Sequence, residues 1–181
     1  MNWRFCKINT KKKSNKFYLF QSMGIVLLLL LLAADQFTKY LAWMNLAGTS
    51  GIRLIPGVFE LYYVENRGAA FGMLNNCQVL FVVIAVIILA ISVYTYIHLP
   101  ESSHYHFLRI VCITIAAGAS GNMIDRLARG YVTDFLYFSL IDFPVFNLAD
   151  CYVCVGAGLA VLLLFTVYRT EDFAFLKIHS Q

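Results

Sequence analysis

The run from Val79 to Leu99, VLFVVIAVIILAISVYTYIHL, contains no aspartate, glutamate, lysine or arginine. As a helix it matches the hydrocarbon core of a bilayer, which takes about 20 mostly apolar residues to cross. Three other runs share its character: Phe17–Phe37, Phe107–Leu127 and Asn147–Tyr168. Only 13% of the chain is charged and 60% is hydrophobic, whereas a soluble domain carries about a quarter charged residues. The chain therefore reads as an all-α polytopic membrane protein with four transmembrane helices. The first run also has the basic start, apolar core and Ala-Ala end of a secretory signal peptide. Leu32 argues against that reading, because it stands where a cleavage site wants a small residue, and the charged Asp35 and Lys39 follow at once.

The net charge of +4 is unevenly spread. Arg4, Lys7, Lys11, Lys12, Lys13 and Lys16 all precede the first span. Basic flanks stay in the cytoplasm, so the N-terminus is expected inside, and four spans return the C-terminus to the same side. Arg169 and Lys177 agree with this. The loop HLPESSHYH is then cytoplasmic despite its lack of lysine or arginine, with Arg109 just beyond it. A nucleic-acid patch is the other use of such a basic run, but this one sits beside a membrane span without the aromatic interleaving such sites use, and no nucleic-acid partner is expected. The expected organisation is a basic cytoplasmic extension (1–16), a single four-helix domain (17–169) with an extracytoplasmic segment at about 42–76, and a cytoplasmic tail (170–181).

This topology brings the acids to one leaflet. Asp35 and Lys39 lie at the outer end of the first span, Asp125 and Arg126 at the outer end of the third. Asp134 lies in the following loop, and Asn147 and Asp150 open the fourth span. Charges near hydrocarbon are costly and usually face a cavity or each other. The plainer alternative is that they mark helix ends in the headgroup layer. Asp35 and Lys39 are spaced to pair on one helix face. Asn147 can cap the fourth helix alone, which leaves Asp150 facing inward. Gly118, Asn122 and Arg126 form a stripe on the third helix, within a small-residue run that suits close helix packing. Gly130 reads as the C-cap of that helix, after which YVTDF is free to return over the site.

The outer segment differs in kind. Ile52–Val64 is rich in aromatic and β-branched residues around Pro56-Gly57, which predicts short strands about a turn. Asn66-Arg67-Gly68 makes another turn. A small extracytoplasmic β-sheet is expected between helices 1 and 2, roofing the polar cluster, with Trp43, Tyr62 and Tyr63 at the membrane interface.

The five cysteines, Cys6, Cys77, Cys112, Cys151 and Cys154, have no framework spacing. Cys151-x-x-Cys154 lies inside a span and reads as two small buried residues rather than a redox or zinc pair. His98, His104 and His106 read as a polar loop rather than a metal site. The remaining inventory, carboxylates without a serine–histidine pairing or a metal cage, suggests acid–base work on water. Two nearby aspartates split their pKa values, so that one serves as base and the other as acid. Asp134 and Asp150 are the best such pair, since each stands on a separate element without an adjacent basic residue. Asp125 is followed by Arg126 and is expected to be ion-paired. Asp142 is read as a loop acid.

DQFTK (Asp35 to Lys39), ENRGAAFG (Glu65 to Gly72), GASGNMIDRLARGYVTDF (Gly118 to Phe135) and FNLAD (Phe146 to Asp150) together resemble the lipoprotein signal peptidases, signal peptidase II. The resemblance runs from Phe17 to about Tyr168, with the motifs in family order. It implies a monomeric aspartyl endopeptidase of the bacterial cytoplasmic membrane, working in contact with lipid. It would remove signal peptides from prolipoproteins before a diacylglyceryl-modified cysteine, without metal or organic cofactor. The catalytic dyad falls on Asp134 and Asp150. Asn66, Asn122, Arg126 and Asn147 match substrate-site positions, and Asp35, Lys39, Gly118 and Asp125 match supporting ones. Two rivals differ in class. A metal-dependent phosphotransferase of the CDP-alcohol type lacks its Asp-Gly pair here. A proton-coupled transporter subunit would need acids across the whole bilayer, not on one side.

Overall fold

A computed structural model describes residues 15–68 and 77–176, with the side chains of 15–20 and 174–176 excepted. Most of the basic extension, Ala69–Gly72 of the second motif, the end of the expected extracytoplasmic segment, Cys6 and Lys177 lie outside the described residues. The chain forms α1 (Asn15–Leu46), β1 (Ile52–Ile55), β2 (Phe59–Asn66), α2 (Gln78–His98), α3 (His106–Arg129), β3 (Val132–Tyr137) and α4 (Leu148–Thr166), followed by a 3-10 segment, Thr170–Leu176. All four helices are long and apolar enough to cross a membrane.

The helices are apolar outside as well as in. On α2 only Ala85 and Ser92 are buried, while Val79 and Ile91 stand exposed, as do Leu30 on α1 and Phe165 on α4. An all-round apolar surface of this kind belongs in lipid. The bundle centre is α3, eleven of whose residues are buried. Its small residues permit the approach: a Cβ at Gly118 would overlap the backbone oxygen of Ala149 on α4. Arg109, beside the α2–α3 loop, is itself buried and donates to the carbonyls of Leu99 and Pro100 at 2.9 Å each. It thus satisfies carbonyls left open where α2 ends. Nearby, His104 lies 3.3 Å from Asp172 and so engages the C-terminal segment.

Several boundaries differ from expectation. The first helix does not stop near Phe37 but runs to Leu46, because its polar turn is satisfied inside the bundle. Gly130 does end α3, in the left-handed region at φ 75°. The strands about Pro56-Gly57 form as expected, the turn closed by Val58 N–H on the Ile55 carbonyl at 2.9 Å. The sheet is not confined to the segment between the first two helices, however. YVTDF, read as a returning loop, is a third strand that pairs antiparallel with β2, in the order β1-β2-β3. Leu61 pairs with Leu136 but Val64 with Asp134, so β2 carries one extra residue between them. Such a bulge moves every later side chain to the opposite face. It therefore puts Val64 and Asn66 on the face of Asp134. Phe135 packs with Ala42 and Leu46 of α1, with Leu61, Tyr63 and Leu136 against them. Tyr63 thus turns inward, while Trp43 and Tyr62 stay exposed.

The α3–α4 seam gives a paired test. Gly118→Ala is expected to destabilise by about 1–3 kcal/mol through overpacking against backbone that cannot yield. Gly158→Ala, where a Cβ meets nothing within 4 Å, is expected to leave the thermal midpoint in detergent unchanged.

Candidate active site

Three helix ends and two strands converge on one buried polar cluster. From α1 comes Lys39, with none of its side chain exposed. Its ammonium lies 3.0 Å from Asp35 Oδ2 and 3.1 Å from Asp125 Oδ2 of α3, and donates to Asn122 Oδ1 at 2.9 Å. Asp35 and Asp125 are as buried as the lysine, 0% and 1% exposed. Charges taken this far from water persist only when paired and hydrogen-bonded. Asp35 Oδ1 meets that requirement by accepting from the Ala149 backbone N–H at 2.9 Å, which ties α1 to the start of α4. Asp125 accepts from the Thr133 N–H at 3.3 Å, which ties α3 to β3.

Asp125 is ion-paired as expected, but not with Arg126. Its partners are Lys39 and, at 3.9 Å, Arg129. Neighbours in a helix point about 100° apart, so Arg126 faces elsewhere, its guanidinium carbon 4.8 Å from the Phe81 ring centroid. Two contributors escaped the sequence reading. Gln36 donates to Asp35 Oδ2 at 3.1 Å and to Asp125 Oδ1 at 3.4 Å. Thr133 meets both Asp125 and Arg129. Neither has a spacing that flags it, since both pairings depend on how α1, α3 and β3 pack. A Cβ at Gly121 would overlap the Asp35 carboxylate, so this glycine admits the ion pair.

The second layer holds Asp134 and Asp150. Asn122 accepts through Oδ1 from both Lys39 and Asn147 Nδ2, the latter at 3.1 Å. That fixes the amide so that its NH₂ faces Asp150, where it donates to Oδ1 at 2.7 Å. Asn147 also donates to Asp134 Oδ1 at 2.6 Å, and Asn66 to Asp134 Oδ2 at 2.8 Å. Asn147 does not cap α4 alone. Its side chain accepts from the Asp150 N–H, while Asp150 Oδ2 accepts from the Asn147 N–H at 3.0 Å. This reciprocal capping box fixes the Asp150 carboxylate, whose Oδ1 then faces Asn122.

Asp134 is 2% exposed. Burial, reinforced by the nearby Asp150 carboxylate, pushes it from its ordinary 3.8 up to about 7, against the lowering effect of its Asn66 and Asn147 hydrogen bonds. Beside Asp150 a cleft of about 230 Å³ opens between α2, α3 and α4. Gly118, Asn122 and Arg126 line it from α3 and Phe81 from α2. The predicted stripe thus faces one cleft. Cys154 lines it too and is exposed, which corrects the expectation that it is buried. Every candidate site residue read from the sequence falls in this cluster or cleft. Among the described residues, no group of three or more His, Cys, Asp or Glu could hold a metal ion.

Two outcomes follow from this geometry. Lys39→Met strands two buried carboxylates and is expected to destabilise by about 3–5 kcal/mol, read from unfolding in detergent. Adding Asp35→Asn to it should recover part of the loss. For Asp134, the folded state holds a proton that the unfolded chain has released between pH 3.8 and about 7. Its contribution to stability is full below pH 3.8 and is lost as pH rises through about 7. Thermal midpoints across this range should fall less steeply in Asp134→Asn than in the parent.

The family described as "Signal peptidase (SPase) II" matches residues 27–166. A lipoprotein signal peptidase of Symbiobacterium thermophilum is 47% identical over 149 residues, covering 81% of this chain and 97% of that protein. One from Caldanaerobacter subterraneus is 46% identical over 136 residues, covering 75% and 90%. A bacterial membrane enzyme solved by the in meso method at 1.9 Å superposes with a TM-score of 0.70 at 31% identity, covering 81% of this chain and 95% of that one.

Proposed function

The chain belongs to the signal peptidase II family, and on that premise we propose that it removes signal peptides from prolipoproteins with Asp134 and Asp150 as the catalytic pair. The observation that carries the assignment is the bridge between them. Asn147 donates to Asp134, shares the cap of α4 with Asp150, and is linked to Asp150 again through Asn122. Two carboxylates held this way, one of them raised to about 7 by burial and by the other, can divide the roles of acid and base near neutral pH.

The ionised member takes a proton from water as the water oxygen attacks the scissile carbonyl carbon. The protonated member donates to the reacting amide. As the C–N bond breaks, the leaving nitrogen takes up a proton, which frees a signal peptide carboxylate and the amino group of the new N-terminal cysteine. Asn66, Asn122 and Asn147 hold the carboxylates through amides that need no rearrangement during reaction. Arg126, above Phe81 at the cleft mouth, is the side chain suited to an ester or backbone carbonyl of the substrate. Asp35, Lys39, Gly118 and Asp125 support this layer from beneath.

The chain is a multi-pass membrane protein. We read its four helices as spans of the bacterial cytoplasmic membrane, with both termini cytoplasmic and the sheet and site at the outer surface. In this reading residues 17–169 form one peptidase domain, active as a monomer, between a basic extension (1–16) and a tail (170–181). A diacylglyceryl-modified signal helix enters sideways from lipid through the α2–α4 cleft, and the reaction needs no metal or organic cofactor.

The test is release of signal peptide from a diacylglyceryl-modified prolipoprotein by purified enzyme in lipid with EDTA present. The parent should cleave. Asp134→Asn and Asp150→Asn should each lose at least about 10²-fold, the lower end of what a positioned acid or base contributes. Loss of cleavage with EDTA, or full activity in either variant, would remove the assignment. With the parent, the rate should decline as pH rises through about 7, where Asp134 gives up its proton.

A further inference from the structure

A second cleft lies on the face of the bundle where α1 and α3 end. It has a volume of about 390 Å³ and is lined by Tyr40, Trp43, Arg129 and Tyr131. Tyr40 and Trp43 are three apart on α1, their ring centroids 6.1 Å from each other, and both are about half exposed. Arg129 closes α3, and Tyr131 follows its C-cap. The candidate active site uses none of the four directly.

Arg129 is anchored on one side only. Its Nη1 donates to Thr133 Oγ1 at 3.2 Å and lies 3.9 Å from Asp125. Among the described residues, its other guanidinium nitrogens have no partner. A second guanidinium stands close by, with Arg67 Cζ 5.6 Å from the Tyr131 ring centroid, although it also pairs with Glu65. Two helix C-termini meet here, and helix C-termini carry partial negative charge. Without the arginines the cleft would repel an anion. With them it offers a planar fork of donors, which suits phosphate, beside the indole and phenol donors of Trp43 and the tyrosines.

Below the cleft, Phe37, Ala33, Leu30 and Val26 continue the same side of α1, and all four are exposed. They extend an apolar stripe from the aromatic rim toward the bilayer interior. A soluble phosphate has no use for that stripe, whereas acyl chains do. The geometry points to a binding site for the phosphodiester headgroup of a glycerophospholipid, gripped by Arg129 and flanked by Tyr40, Trp43 and Tyr131. This rests on α1 and α3 ending at the headgroup layer, and not on the peptidase assignment. Through Asp125 and Thr133 the bound lipid would touch the network under Asp134, which makes it a structural lipid of the site.

The test reads binding, so it stands or falls apart from cleavage. The full chain, purified in detergent, is titrated with phosphatidylglycerol or with diacylglycerol of the same acyl chains, and retained lipid is measured by native mass spectrometry. Phosphatidylglycerol should be retained about tenfold more strongly, the equivalent of one charge-assisted hydrogen bond. Arg129→Gln should lower it to the diacylglycerol level. Trp43→Ala, exposed and outside the Asp125 network, should weaken retention in a protein whose fold is not in question. Failure of sn-glycerol 3-phosphate to compete would assign the ligand as lipid, and competition at equal concentration would assign a soluble phosphate ester to the same guanidinium. Equal retention of the two lipids, or undiminished retention in both variants, would overturn the proposal.

Discussion

Lys39 is a full positive charge with no exposed side chain, on a helix whose outer face is hydrocarbon. Everything around it follows from the need to keep that charge satisfied. Two carboxylates and one amide oxygen surround its ammonium. Each of those groups belongs to, or reaches, another element: Asp35 to the N-terminal backbone of α4, Asp125 to β3, Asn122 to both Asp150 and Asn147. A bundle of apolar helices has little to select one register over another, because lipid and neighbouring helix are equally apolar. The buried cation supplies that selection. One register of α1 against α3 gives it all three partners, and Asp35 then ties the start of α4 to them.

The same demand prepares the chemistry. A carboxamide can turn over at little cost unless its ends are claimed. Lys39 claims the oxygen of Asn122, and so the nitrogen of that residue is committed to Asp150. Asn147, held by its cap, is committed in turn to Asp134. Orientation passes outward from Lys39 to both carboxylates. Under the proposed mechanism they are set before substrate arrives, which is what electrostatic preorganisation requires. The bulge in β2 performs the equivalent task for Asn66 by choosing the face on which it emerges.

Much of this was legible in the chain. Apolar runs of bilayer length gave the helices, Gly130 and Pro56-Gly57 marked real breaks, and the spacing of Gly118, Asn122 and Arg126 placed them on one cleft-lining stripe. The acids converge because α1, α3, β3 and the start of α4 meet at one end of the bundle. What could not be read was anything decided by contact between distant elements. Adjacency in sequence suggested Arg126 for Asp125, but helix geometry turns them apart and gives Asp125 to Lys39, 86 positions earlier in the numbering. VTDFLY has the β-branched and aromatic residues of a strand, yet it becomes one only because β2 offers an edge. Gln36 and Asp150's share of the α4 cap were hidden for the same reason: one needs two helices in register, the other the rotamers of two side chains at once.

The most direct test of the account is a structure of Asp134→Asn bound to a diacylglyceryl-modified prolipoprotein peptide. The account predicts that the peptide's helix leaves through the cleft between α2 and α4. The scissile carbonyl carbon should then lie within about 3.5 Å of a water held by Asp150, a near-attack distance, with residue 134 facing it from the other side. A peptide seated in that cleft with its scissile bond away from both residues would contradict it.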